Sequence, residues 1–199
     1  MQIQSLFPTA LGIFDLGRPL ADAELQCIVD QEKRQNMGNL TSTNTTILEV
    51  EQLVEIKDFI LASIEEYWLN IFRPSNKTSL RITQSWCNYT EPGQFHHKHA
   101  HPNSLISGVF YPQADKETDR IYFYKDTYDQ LQTPTSDWHE FNSNSWWMPA
   151  FTGRLFIFPS KLTHMVETVE GKRTRISLSF NTFPVGDWGD GESLTGLQL

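Results

Sequence analysis

Cysteine is scarce in this chain. Cys27 and Cys87 are its only two, too few for a disulfide framework, so the fold must be held by a buried core. Long apolar runs are also missing. No stretch of 18 apolar residues occurs, and no membrane span is expected. Positive charge is in deficit, with 16 Lys and Arg against 24 Asp and Glu and a net charge of −8. The basic residues are scattered, with no stripe to suit a nucleic-acid partner. The first sixteen residues lack a charged segment followed by a long apolar one, so a secretory signal is not expected. Together with two cysteines read as free buried thiols, this predicts a cytoplasmic protein. The patterns Asn44-Thr45-Thr46 and Asn76-Lys77-Thr78 then carry no glycosylation meaning. No internal repeat or low-complexity tract is present. The 199 residues fit one domain, large enough to bury a core. Nothing in the sequence sets an oligomeric state.

Aromatic residues are abundant, at 13 %. Many fall in short runs such as Ile121-Tyr122-Phe123-Tyr124 and Leu155-Phe156-Ile157-Phe158, where flat side chains suit a pleated surface. The chain divides into a helical front and a strand-rich back. Ala21, Leu25, Ile28 and Val29 share a face, with Asp22 and Glu24 near the positive end, which predicts a helix over 21–35. The polar stretch 38–44 reads as loop. Leu53, Ile56, Ile60, Ile64, Tyr67 and Ile71 recur at helical spacing and predict a second helix, stopped before Pro74. Beyond it, turn residues separate predicted strands at 79–89, 104–111, 119–125, 146–149, 153–158 and 173–183. In the last of these, Ile176, Leu178 and Phe180 point one way. Arg173, Arg175, Ser177 and Ser179 point the other, a polar face able to line a cavity. Helices first and strands after predict an α+β fold, helices packed on one face of a β-sandwich.

Four of the six histidines fall within six residues, at His96, His97, His99 and His101. A His-x-His pair on an extended segment sets both rings on one face, roughly 6.6 Å apart along the chain, so they can converge on one ion. Both His97/His99 and His99/His101 satisfy this. Imidazole suits iron, zinc, copper and nickel. His164, which follows a buried strand and a turn, is the natural third ligand, whereas His139 lies in a polar segment read as surface loop. A histidine-rich loop that merely scavenges metal is the competing reading. Eleven residues after His164, Arg175 and Ser177 share a strand face. A guanidinium fork beside a hydroxyl suits a small carboxylate. A plain surface arginine is the alternative.

Taken together, these segments resemble the 2-oxoglutarate/Fe(II) oxygenase superfamily in its prolyl-hydroxylase-like branch, and more closely a family of bacterial and phage oxygenases. The carrying residues are 89–95 (Tyr-Thr-Glu-Pro-Gly-Gln-Phe), 99–104 (His-Ala-His-Pro-Asn-Ser), 105–111, Phe158-Pro159-Ser160, His164 and 175–181, with Leu6-Phe7-Pro8-Thr9 at the start. The resemblance implies a double-stranded β-helix (jelly-roll, cupin-like) with supporting N-terminal helices. It spans one domain over 1–199: helical support at 1–78, the β-helix core at 79–185 and a C-terminal tail at 186–199. It implies Fe(II) on His99, His101 and His164, with His101 standing where the superfamily usually has a carboxylate. It implies 2-oxoglutarate and dioxygen as co-substrates, and a hydroxylase whose primary substrate is not specified. Tyr89 precedes His99 by ten residues, the spacing of a prolyl-hydroxylase tyrosine that helps bind 2-oxoglutarate, and this favours His99/His101 over His97/His99. Arg175 and Ser177 are expected to hold the far carboxylate, with Arg173 as runner-up. Trp86, Phe110, Trp146 and Trp147 are candidates for a substrate wall, or for core. Two rivals stand beside this reading. One is a three-histidine cupin enzyme that does not use 2-oxoglutarate. The other is a non-catalytic β-sandwich binding module.

Overall fold

The computed structural model describes residues 1–125, 131 and 133–199. Eight strands form one antiparallel sheet and four form a second. In chain order the elements are β1 (Gly12–Asp15), α1 (Asp22–Val29), β2 (Lys33–Gln35), β3 (Leu40–Ser42), α2 (Val54–Tyr67), β4 (Thr78–Thr90) and β5 (His96–His99). They continue with β6 (Ile106–Gln113), β7 (Arg120–Tyr124), β8 (Ser145–Pro149), β9 (Arg154–Pro159), β10 (His164–Val166), β11 (Arg175–Trp188) and β12 (Leu197–Gln198). The large sheet runs β1-β9-β6-β11-β4-β3-β2, with β12 on β11, and the small sheet runs β5-β10-β7-β8. This is the double-stranded β-helix, with the helices on one side.

Two cores separate the layers. On the outer face of the large sheet, Ile176, Leu178, Phe180, Phe110, Leu155 and Ile157 pack with the α2 stripe of Ile56, Ile60, Ile64 and Tyr67. Between the sheets, Val109, Tyr111, Phe156 and Phe158 meet Ile121 and Phe123. The period-2 alternation of each central strand supplies both cores at once. Leu178 is fully buried, and burying a leucine is worth roughly 1.5–3 kcal/mol.

The two long strands match expectation and run further, to Thr90 and Trp188. Other parts differ. The first helix stops at Val29, which is 38 % exposed, because its apolar stripe ends at Ile28. Lys33–Gln35 then turns into an edge strand, and the Lys33 ammonium donates to the Val29 carbonyl at 2.6 Å. The expected loop at 38–44 contains β3. It carries no apolar alternation because polar groups tie it to β4. The Thr41 hydroxyl donates to the Cys87 carbonyl at 3.0 Å, and the Ser42 hydroxyl accepts from the Cys87 amide at 3.0 Å. The second helix ends in a wide turn over Trp68–Phe72, with Ile71 half exposed and Arg73 in the left-handed region at φ 46° just before Pro74. Within the expected tail, Leu197 and Gln198 pair with β11.

Candidate metal and co-substrate site

The inner face of the small sheet sets up the histidines. His164 on β10 stands opposite His99 on β5 and opposite Phe123 on β7, and Phe123 stands opposite Trp146 on β8. Direct cross-strand neighbours share a face, so one row reads His99, His164, Phe123, Trp146. His101 enters from the turn after β5, where its backbone amide donates to the Ser160 carbonyl at 2.9 Å. The ring centroid of His164 lies 4.4 Å from that of His99 and 5.1 Å from that of His101. One nitrogen from each of the three lies within 4.8 Å of the other two.

The tautomers follow from the flanking bonds. His99 Nδ1 lies 2.8 Å from the His97 carbonyl, and His164 Nδ1 lies 3.0 Å from the Leu162 carbonyl. A carbonyl can only accept, so each Nδ1 carries the proton and each Nε2 presents a lone pair inward. The Nε2 atoms of His101 and His164 are 3.3 Å apart. Two nitrogens each about 2.0–2.1 Å from one ion would sit that far apart at an angle of roughly 100–110°. Burial, then the neighbouring His99, push His164 down to about 3 and His101 down to about 4, and burial lowers His99 as well. All three are thus neutral near pH 7, the state a metal requires. The donor set fits a divalent first-row ion such as Fe(II).

A second trio, His96, His97 and His99, is equally compact. An irregular register explains it: β10 advances two residues, His164 to Val166, while β5 goes back three, His99 to His96. The extra residue swings His96 onto the same side as His99, with ring centroids 4.7 Å apart. His139 is exposed in a turn far along the sequence and belongs to neither trio.

Arg175 begins β11 on the inner face, only 3 % exposed. Its Nη2 donates to the Tyr111 hydroxyl at 3.0 Å, while Nε and Nη1 are buried with no partner. No carboxylate among the described residues forms an ion pair with it. Asp119 is close enough to feel its charge, but one carboxyl oxygen accepts from the Asp115 amide at 2.7 Å and the other is unpartnered. Burial raises the Asp119 carboxyl above its usual range. An unpaired buried guanidinium is costly. Its unpartnered N–H groups and unneutralised charge are what a small carboxylate could satisfy. Ser177, 8 % exposed, lies next along the same face, opposite Asn88 on β4. Arg173 is exposed and precedes the strand.

Tyr89 corrects an expectation. It faces the helices, and its hydroxyl donates to the Ile28 carbonyl at 2.5 Å. The alternation of β4 puts Trp86, Asn88 and Thr90 on the inner face, opposite Ser179, Ser177 and Arg175, so Tyr89 must point outward. The phenol beside the guanidinium is Tyr111 instead. Its signal was available, since Val109 and Tyr111 alternate with the outward Phe110. Asn88, whose Oδ1 is buried without a partner, was likewise passed over. Among the aromatic candidates Phe110 is core. The Trp86 ring lies 5.7 Å from that of His101, tilted by 42°, and Trp146 and Trp147 are 51 % and 45 % exposed.

A jelly roll with three converging histidines and a buried, unpaired guanidinium has the parts of a metal-dependent enzyme acting with a small carboxylate. Residues 84–181 match the model of the family described as "Putative 2OG-Fe(II) oxygenase". That segment runs from β4 to β11 and places the chain among the 2-oxoglutarate- and Fe(II)-dependent oxygenases, oxidoreductases that consume dioxygen. No curated protein sequence matches the chain. Among solved structures, its fold is similar to an oxidoreductase of the 2OG-Fe(II) oxygenase family from Burkholderia pseudomallei. The two are 12 % identical over 86 % of this chain and 84 % of that one, with a TM-score of 0.58. It is also similar to a prolyl hydroxylase from Trichoplax adhaerens solved with a hypoxia inducible factor peptide (13 % identity, 87 % and 83 % covered, TM-score 0.58). A third is HygX from Streptomyces hygroscopicus, solved with nickel and 2-oxoglutarate (6 % identity, 87 % and 82 % covered, TM-score 0.58). At such identities the likeness concerns the fold. Among the described residues no helix is long and apolar enough to cross a membrane.

Proposed function

We propose that the chain is a hydroxylase in which His99, His101 and His164 hold Fe(II) while Arg175, Tyr111 and Ser177 hold the far carboxylate of 2-oxoglutarate. The observation that carries this reading is the buried guanidinium of Arg175 with two unpartnered donors, on the inner face that also receives the histidines. When bound, the metal and co-substrate supply the oxidising power: 2-oxoglutarate loses carbon dioxide to become succinate, and one oxygen atom of dioxygen goes to the substrate. The chain's own part is placement. The His97 and Leu162 carbonyls fix two imidazoles as Nε2 donors. The Tyr111 hydroxyl fixes one arm of the guanidinium, so the other donors face the ligand already oriented. Phe123 and Phe158 pack against the His164 ring at 6.2 and 4.9 Å between centroids and keep water from that side. Three neutral ligands leave more positive charge on the ion than a set with one carboxylate, which changes its redox potential.

The single oxygenase domain over 1–199 and a cytoplasmic setting belong to the same reading. The setting is supported by two unbridged cysteines, one of them, Cys87, buried with its thiol pushed up to about 12 by desolvation. A three-histidine enzyme without 2-oxoglutarate gives Arg175 no task.

Anaerobic calorimetry with Fe(II) present tests the assignment, because it separates binding from turnover. Arg175→Ala is expected to weaken 2-oxoglutarate binding by about 2–5 kcal/mol, well over tenfold, with iron still bound. Arg175→Lys restores only part, since an ammonium makes no bidentate contact. If Arg175→Ala binds 2-oxoglutarate normally, the three-histidine alternative becomes the better account.

A further inference from the structure

The inner face of the long β4–β11 ribbon has two ends. At one end Arg175 is sealed in. At the other, pairing of β6 with β11 stops at Asn181 opposite Ser107, while β4 and β11 continue together to Thr78 and Gly186. A cleft of about 600 Å³ lies there, lined by Arg81, Thr83, Gln84, Asn181, Phe183, Pro102 and Asn103. It adjoins the histidine trio, because Pro102 and Asn103 directly follow His101, and the ring of Trp86, two residues from Gln84, lies 5.7 Å from that of His101. The register puts Arg81 directly opposite Phe183 on this face. A local irregularity on β4 lets it do so: Asn181 pairs with Gln84 but Thr182 pairs with Ile82, so Thr83 is the extra residue, its hydroxyl donating to the Asn181 carbonyl at 3.2 Å.

The chemistry of this lining is uneven. Phe183, at 36 % exposure, and Pro102 offer apolar surface, and Gln84 and Asn103 offer exposed amides. Among the described residues Arg81 is the only charged group lining the cleft, and it forms no ion pair or side-chain hydrogen bond. In a chain with eight more acidic than basic residues, an arginine left free beside the histidine trio is conspicuous. One guanidinium matches a singly charged, planar anion held by two parallel hydrogen bonds, which is a carboxylate; a dianion would call for further cations. Along β11 the rows at 175 and 183 lie four residues either side of Ser179, which pairs with Trp86, about 13 Å in each direction. The two arginines therefore lie on opposite sides of the Trp86 row, whose ring neighbours His101.

We propose that this cleft is the primary-substrate site and that the substrate is a small carboxylic acid. Its carboxylate pairs with Arg81 and its apolar body lies over Phe183 and Pro102, reaching toward the histidine trio. The proposal rests on the oxygenase reading above and adds the class of molecule oxidised.

The test uses protein loaded anaerobically with Fe(II) and 2-oxoglutarate, titrated by calorimetry with 4-phenylbutyrate and, separately, with its uncharged amide. The acid is expected to bind at least tenfold more tightly than the amide. Arg81→Gln should abolish that preference, and Arg81→Lys should keep part of it, with the melting temperature and 2-oxoglutarate affinity of both variants unchanged. The proposal is overturned if acid and amide bind alike, if neither binds, or if Arg81→Gln retains the preference. It is also overturned if Arg81→Gln loses 2-oxoglutarate affinity, which would make Arg81 a co-substrate ligand. Failure of the unmodified protein to take up 2-oxoglutarate in the loading step is read separately and removes the oxygenase reading itself.

Discussion

The two faces of β11 are equally dry and quite unlike. Ile176 and Leu178 on one side are 3 % and 0 % exposed; Arg175 and Ser177 on the other are 3 % and 8 % exposed. Burial alone does not tell them apart. What differs is the charge on the buried atoms that lack partners. The outer face meets helix α2 side chain to side chain, and the buried groups left without a partner in that core, the indole N–H of Trp68 and of Trp188, are neutral. The inner face hides two guanidinium nitrogens and, across on β4, the amide oxygen of Asn88, all without partners. Native proteins rarely leave such groups orphaned, so the inner face is shaped for something that the chain itself does not supply.

The comparison is broken most sharply at the histidines. His164→Ala should abolish tight Fe(II) binding, whereas His139→Ala, in an exposed turn, should leave it unchanged; anaerobic titration with Fe(II) reads both. Equal losses would mean that the buried trio has no privileged role. Next come neighbours on opposite faces of the strand. Leu178→Ala should lower unfolding stability by about 2–5 kcal/mol, from the lost burial and the cavity left behind, with little change in 2-oxoglutarate affinity. Ser177→Ala should do the reverse, weakening 2-oxoglutarate by on the order of 1 kcal/mol while stability holds. Denaturant unfolding and calorimetry on the two variants decide it, and the contrast fails if both properties move together in either one.

The smallest effect is on acid sensitivity. Folding lowers the proton affinity of His99, His101 and His164, chiefly by burial, to about 4 for His101 and about 3 for His164. As pH falls below about 6.5 the unfolded chain takes up protons that the folded chain refuses, so stability present above that pH is lost progressively toward pH 3. The melting temperature of the metal-free protein should therefore drop between pH 7 and pH 5, and by less in His164→Ala. An identical drop in both would show that these imidazoles do not set the acid limit.

Much of this was legible beforehand because it rests on periodicity. The alternation of 175–180 separated the two faces of β11 correctly, and the stripe of α2 foretold which side the helices would cover. The trio of His99, His101 and His164 followed from spacing and resemblance. The errors came where local pattern loses to tertiary context. A short polar edge strand such as β3 has no alternation to read, since its neighbours satisfy it through Thr41 and Ser42. Tyr89 was placed by counting from His99, but parity along β4 governs direction, and an odd step from Asn88 turns it to the helices. His96 was hidden for the opposite reason: one extra residue in β5 breaks parity and brings it round to the side of His99.

The orphaned charge of Arg175 also bears on how the molecule holds together. A core that contains a cation without its counter-ion is an unfinished core, and under the proposed function the piece that completes it is 2-oxoglutarate. Binding to the native state alone adds RT ln(1 + [L]/Kd) to stability, about 2.7 kcal/mol at a hundredfold excess over Kd. If Arg175 seats 2-oxoglutarate as proposed, the fold doubles as a gauge of its supply: a chain with its co-substrate in place would be harder to unfold and to degrade than one that carries an uncompensated charge.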